Sequence, residues 1–283
     1  MATPNKAQFL TEIQTLLKKR YKTSPPPSKP SIIEAVVYAI CHQGTTRVQA
    51  EKTLARFKED YFDWNELRVT SMGEIEAVFA DQPDGDLRAI ALRRFLKQLF
   101  SKTYSFTLDA LIKKPQKEAL ATLVEYDAFK SDYIEATVVR LALGGHAIPV
   151  DTPMKRALTR LGVAPADVAV LDLRSLLERA VPKAKGPEFV DLVEDLAFDT
   201  CVEGTPNCPE CELKSICPTA PIVLAQLAGG AKVGGGIKVV TKVPRVPKIK
   251  GSGIQTPVNK SAKGETPTPP TSGRNKGKPT PPS

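Results

Sequence analysis

The chain has 283 residues, of which 41% are hydrophobic and 25% charged, with a formal net charge of +9. That length suffices for two small lobes around substantial cores. No run is long and apolar enough to span a membrane, and the N-terminal Met-Ala-Thr-Pro-Asn-Lys lacks the apolar segment of a secretion signal, so neither a membrane-embedded nor a secreted protein is expected. The charge is unevenly placed: residues 231–283 hold 11 Lys and Arg against Glu265 alone, 11 − 1 = +10, which leaves 29 − 30 = −1 for residues 1–230.

Helical periodicity dominates the chain from its start. Phe9, Leu10, Ile13, Leu16 and Leu17 make a first apolar stripe, and Pro25 to Pro27 break it off. Cys41 ends the apolar run from Ala35 and reads as a core cysteine. The segment His42-Gln43-Gly44-Thr45-Thr46 comes next, in which Gln43 and Thr45 are candidate caps for a helix near Arg47. Tyr61, Phe62 and Trp64 read as core or helix-end packing. Pro83 and Gly85 mark a turn before a stripe of Ala89, Leu92, Phe95, Leu96 and Leu99, with Leu87 assigned to the core as well. Pro115 and Gly144–Gly145 punctuate the stretch after that stripe. Asp151-Thr152-Pro153 is an ordinary helix start, with Asp151 or Thr152 at the N-cap. Val168, Leu171, Leu173, Leu176 and Leu177 form a third stripe, and Phe189, Leu192, Val193 and Leu196 a fourth. Alternating strands and internal repeats are absent. The expected class is all-α.

Cys201, Cys208, Cys211 and Cys217 close the structured part, with six, two and five residues between them. In a chain without a secretion signal, four clustered thiols point to a metal centre rather than to disulfides. Four thiolates suit a tetrahedral zinc or an iron–sulfur cube. Zinc ribbons pair two short knuckles across a long insert, whereas here only Cys208 and Cys211 form a knuckle. Beyond these cysteines, from about Gly229, the chain turns to Gly, Pro, Lys, Thr and Ser and is expected to be disordered. Such a polycation suits contact with DNA by counterion release, or with an acidic partner.

The six-two-five spacing resembles the [4Fe-4S] loop of the endonuclease III branch of the helix-hairpin-helix DNA glycosylases. The resemblance covers about residues 6–220. It implies a two-lobed helical glycosylase fold with a disordered basic C-terminal tail. Residues 1–28 would supply an N-terminal helix packed on the cluster lobe, 29–145 a helical barrel with a degenerate helix-hairpin-helix, 146–222 the cluster lobe with its [4Fe-4S] loop, and 223–283 the tail. Double-stranded DNA would be the partner of a monomer that is cytoplasmic and nucleoid-associated, or nuclear in a eukaryote.

The same resemblance assigns site residues. Ala142-Leu143-Gly144, then Ile148 to Thr152, resemble the stretch that delivers the family's catalytic aspartate, here Asp151. A carboxylate suits the chemistry, because breaking an N-glycosidic bond develops oxocarbenium character at the sugar, which an anion stabilises. Counting back without gaps, the Schiff-base lysine of bifunctional members falls on Tyr133, which cannot form an imine. Tyr133 joins Asp151 in the catalytic set, and a lyase step is not expected unless Lys130 supplies the amine. Lys130 and Ser131 are expected to reach a DNA phosphate from the hairpin Asp127 to Tyr133, which lacks the family's glycines. Gln43 resembles the glutamine that fills the space left by an extruded base. The wedge position falls on Asp84, and Arg156 is placed against a phosphate. These features imply a monofunctional DNA N-glycosylase of base excision repair. The alternative is a catalytically inactive DNA-binding iron–sulfur protein on the same scaffold; a redox-responsive cluster that tunes DNA affinity is a third.

Overall fold

The computed structural model describes residues 5–23 and 29–229, and among the described residues every regular element is helical. The first half contributes α1 (Lys6–Leu17), α2 (Ile32–His42), α3 (Arg47–Asp60), α4 (Trp64–Val69), α5 (Met72–Val78) and α6 (Gly85–Thr103). The second contributes α7 (Gln116–Leu123), α8 (Asp132–Leu141), α9 (Thr152–Arg160), α10 (Val170–Ala180), α11 (Gly186–Asp199) and α12 (Ala220–Gly229). No helix among the described residues is long and apolar enough to cross a membrane.

Two principal hydrophobic cores divide these helices. The first takes its side chains from α2 to α8 and the connections between them. The second joins α1 to α9, α10 and α11, so the first helix of the chain completes a core built mainly from residues after 147. α2 is the centre of the first. Ser31 starts it with a reciprocal cap: its hydroxyl accepts from the Glu34 N–H at 3.2 Å, and the Glu34 carboxylate accepts from the Ser31 N–H at 3.1 Å. Ile32, Ile33, Val36, Val37 and Ile40 are all buried, so this helix is apolar nearly all round, as an internal helix must be. Each such side chain contributes about 1.5–3 kcal/mol relative to exposure. α6 is amphipathic instead: Ala89, Leu92, Phe95, Leu96 and Leu99 are fully buried along one face.

The stripes expected from the sequence lie on α1, α6, α10 and α11, with four refinements. Leu87 is 60% exposed rather than in the core, because two residues of helix before Ala89 is roughly 200° of turn, which places it on the opposite face. α10 starts only at Val170, after a turn in which the Val168 N–H donates to the Pro165 carbonyl at 3.2 Å. Its inward residues are Leu173 and Leu177, and Leu171 faces out. Phe62 is 96% exposed, while Tyr61 and Trp64 pack on the first core. Finally, α12 carries helix to Gly229, past the boundary expected at 222; the rest of the basic tail lies outside the described residues.

Candidate active site at the seam between the two cores

Asp151 sits where the second core meets the end of α2. It is the N-cap of α9: its Oδ1 accepts from the Met154 N–H at 2.9 Å. Its Oδ2 accepts from the Gly44 N–H at 3.0 Å, across 107 residues of sequence. The carboxylate is 5% exposed. Burial pushes its pKa up, against the two N–H donors and the Arg156 charge, which pull it down. Gly44 is needed for its backbone, since its φ of +75° comes directly after the last turn of α2. Arg88 fixes that turn from outside, donating to the carbonyls of Ile40, Gln43 and, at 2.8 Å, Pro83. A cation on the free carbonyls of a helix C-terminus is the favourable arrangement. It also ties the loop before α6 to the Gln43–Gly44 turn.

Behind Asp151 lies a buried polar chain that no sequence spacing announces. The Tyr133 hydroxyl is 2.9 Å from His42 Nδ1, and His42 Nε2 is 3.6 Å from Glu194 Oε2 on α11. Burial pushes the His42 pKa down, to about 3, and the Glu194 pKa up, to about 8, so the enclosed site disfavours charge on either partner. Glu194 Oε1 and Arg140 Nε are buried without a hydrogen-bond partner among the described residues. Tyr133 is 3% exposed, and burial raises its own pKa well above the usual value. Tyr133, expected in the catalytic set, is thus an enclosed phenol whose hydroxyl is engaged with His42. His42, Glu194 and Gly44, to which the sequence assigned no site role, are the residues that the structure adds around Asp151 and Tyr133.

The hairpin between α7 and α8 is a turn of 3-10 helix, Asp127–Lys130, and Ser131 caps α8 by accepting from the Ile134 N–H at 3.4 Å. The Ser131 hydroxyl also lies 3.4 Å from Gln43 Oε1, so two residues expected to contact DNA, from distant segments, meet beside the Gln43–Gly44 turn. Lys130 is 76% exposed and pairs with Asp127 at 2.5 Å. The anionic Asp127 is further engaged by Gln98 at 2.9 Å, and Lys130 heads the causes that draw its pKa down. The α3 cap is Thr46, not Gln43 or Thr45. That leaves the Gln43 side chain free for the contact with Ser131.

Arg156, expected against a phosphate, is engaged within the chain. Its guanidinium donates to the Ala197 carbonyl at 2.8 Å and the Cys201 carbonyl at 3.2 Å, which turns it inward toward the cysteine loop. Arg160, one turn on, donates to Val202 at 2.6 Å and Gly204 at 3.1 Å. The Arg160 carbonyl in turn accepts from the Thr219 hydroxyl at 2.6 Å. α9 thus presents Asp151 at one end and holds the cysteine loop at the other. Cys201, Cys208, Cys211 and Cys217 are all unpaired thiols and line one small cavity of about 20 Å³. Among the described residues, no three Cys, His, Asp or Glu side chains converge as on a single metal ion. Cys41 is fully buried in the first core, apart from this loop.

Two helical cores meeting at a seam, with a helix-hairpin-helix formed by α7 and α8, match the fold of the endonuclease III-like helix-hairpin-helix DNA glycosylases, and the chain has that fold. A structure of endonuclease III trapped as a covalent intermediate with DNA superposes with a TM-score of 0.62 at 18% identity, over 78% of this chain and 100% of that one. A thermostable thymine-DNA glycosylase does so with a TM-score of 0.56 at 19% identity, over 78% and 100%. In sequence, DEMETER-like protein 3 of Arabidopsis thaliana is 22% identical over 175 residues, 56% of this chain. The chain spans 17% of that relative's length. No family model matches the chain.

Proposed function

We propose that this protein is a monofunctional DNA N-glycosylase of base excision repair, hydrolysing the bond between the sugar and a damaged or mispaired base. The observation that carries this is the Asp151 carboxylate, clamped by the Met154 and Gly44 N–H groups at the seam of a glycosylase fold. Its anchoring is preorganised, so no reorganisation is needed as positive charge develops on the sugar. In a poorly solvated seam its field acts at short range without direct contact. Gln43 and Ser131 would take the space and the phosphate beside an extruded nucleotide. Tyr133 holds no amine, and the exposed Lys130 amine is engaged by Asp127, which supports hydrolysis without a Schiff base.

The four cysteine thiols fit a [4Fe-4S] cluster: they are unpaired, share one cavity, and have the Arg160 guanidinium beside them, 3.7 Å from Cys201 Sγ. Such a cluster would serve structurally, holding the 201–217 loop beside α9. Double-stranded DNA is the proposed partner of a monomer, with the basic tail adding sequence-independent affinity, in the nucleoid or nucleus.

The second reading, an inactive DNA-binding scaffold, is favoured by the 5% exposure of Asp151 and by Asp84 at the position of the wedge. One experiment separates them. Duplexes bearing oxidised pyrimidines, abasic sites, G·T, G·U or A·8-oxoguanine pairs are incubated with the protein, with and without alkali. Strand breaks seen only after alkali support the monofunctional enzyme. Breaks without alkali overturn the exclusion of a lyase step, and binding without breaks on any duplex assigns the scaffold.

A further inference from the structure

The outer face of α6 carries a cationic groove that the proposed site does not use. Met72, Ile90, Arg93, Arg94, Lys97 and Lys102 line it, around a volume of about 430 Å³, together with the amide of Gln98 and the hydroxyl of Ser101. No carboxylate lines it. Lys102 is paired with Glu125 at 2.8 Å, whereas Arg93 and Lys97 make no ion pair among the described residues, and Arg93 Nε is buried without a partner. Arg94 approaches Asp127 only to 3.8 Å. This concentration of positive charge stands out on a body whose formal charge is −1 over residues 1–230.

The groove has a direction. Leu87, Ile90, Arg94, Lys97 and Ser101 succeed one another at helical spacing along the face opposite the buried stripe, and Leu87 and Ile90 are 60% and 42% exposed. At its N-terminal end lies the Gln82 to Arg88 loop. At its other end lies the hairpin: Gln98 bonds Asp127 twice, through its Oε1 to the backbone N–H and its Nε2 to the carboxylate, both at 2.9 Å. The same carboxylate holds Lys130. Lys130, Arg94 and Lys97 therefore form one strip, running from the hairpin along α6 toward the loop.

We infer that this strip is a track for the sugar–phosphate backbone of duplex DNA between the loop and the hairpin. This rests on the DNA-binding part of the proposed function and extends it. Arg94 and Lys97 stand about 4.5 Å apart along the helix axis, on the order of the ~3.4 Å axial step between successive phosphates of one strand. The track supplies side-chain cations beside a hairpin that has no glycine with which to bring its own amides onto a phosphate. The Ile90 and Met72 side chains and the lysine and arginine stems give the strand an apolar floor.

The test is fluorescence anisotropy of the full-length protein with a labelled duplex, over a series of salt concentrations. Arg94→Gln/Lys97→Gln is compared with wild type and with Lys19→Gln/Lys22→Gln, which loses the same charge on the other core. The groove variant is expected to bind on the order of 10- to 60-fold more weakly at ~0.1 M salt, with a log–log slope smaller in magnitude by about 1.8, as for two lost phosphate contacts. Thermal melts confirm that it is folded. A groove variant equal to wild type, or no weaker than the charge control, overturns the track while leaving the glycosylase reading intact. Preferential binding of a glutamate-rich peptide to the groove, with duplex affinity unchanged, also overturns it. If wild type binds no duplex, the DNA reading itself fails.

Discussion

Asp151→Asn isolates charge from shape. Asparagine caps a helix as well as aspartate does, so α9 should still start in place. The negative charge is lost. At ~4 Å from a cationic sugar and an effective dielectric of ~20, that charge is worth about 4 kcal/mol. This corresponds to about a thousandfold in rate. The structure also fixes a stability cost. Asp151 accepts from both Met154 and Gly44, whereas asparagine has one acceptor oxygen and turns its NH₂ toward one of those N–H groups. An unsatisfied buried donor costs about 1–3 kcal/mol, offset in part because an amide avoids the burial penalty that raises the Asp151 pKa. A net loss of about 1–2 kcal/mol lowers Tm by about 2–8 °C for a folded body of this size. Single-turnover base release, duplex affinity and thermal melts should be read on the same preparation. A rate within about tenfold of wild type, or a rate loss fully explained by weaker DNA binding, would refute the assignment of Asp151 as the charge that stabilises the transition state.

The buried chain behind it makes two further predictions. Glu194 keeps its proton up to about 8 in the folded chain but only to its ordinary 4.5 unfolded. Its contribution to stability is therefore full below 4.5 and lost as pH rises through 8. His42 acts in the other direction: its contribution is present above 6.5 and lost as pH falls toward about 3. In Glu194→Gln the alkaline loss should vanish, so Tm of the variant relative to wild type should climb between about pH 5 and pH 8; a constant difference removes the buried-acid account. Tyr133→Phe leaves His42 Nδ1 without its 2.9 Å partner and should cost about 1–3 kcal/mol in denaturant unfolding, while borohydride trapping on an abasic duplex stays negative in both proteins. Trapping by wild type that disappears in Lys130→Ala would reverse that expectation. Cys211→Ser should lose iron and acid-labile sulfide and destabilise the second core, leaving Cys41 irrelevant; an iron-free wild type that melts normally would remove the cluster.

Much of the architecture was legible because helical periodicity is a local property. The buried faces of α6 and α11 can be read from five and four side chains, since a residue's position on the helix fixes its neighbours. The grouping of the four cysteines was legible for a related reason: thiols within 17 residues of sequence can line one small cavity. Asp151 could be found by combining helix-start chemistry with the motif before it. By contrast, Arg156 looked like a surface cation, because nothing local reveals that the Cys201 carbonyl folds back onto it. Tyr133 was placed by counting, and counting says nothing about which way a phenol points.

The amino-acid order alone thus determined the helices, the near-neutral body and strongly basic tail, and the candidate carboxylate and thiols. These depend on periods of a few residues, on composition, and on spacing within one segment. Only the tertiary structure decided that Gly44 clamps Asp151, that His42 and Glu194 stand behind Tyr133, that the two arginines of α9 bind the cysteine loop, and that α6 turns a row of cations outward beside the hairpin. Those contacts join residues up to 152 positions apart (His42 to Glu194). Their energies depend on burial and dielectric, which exist only once the two cores have closed on each other.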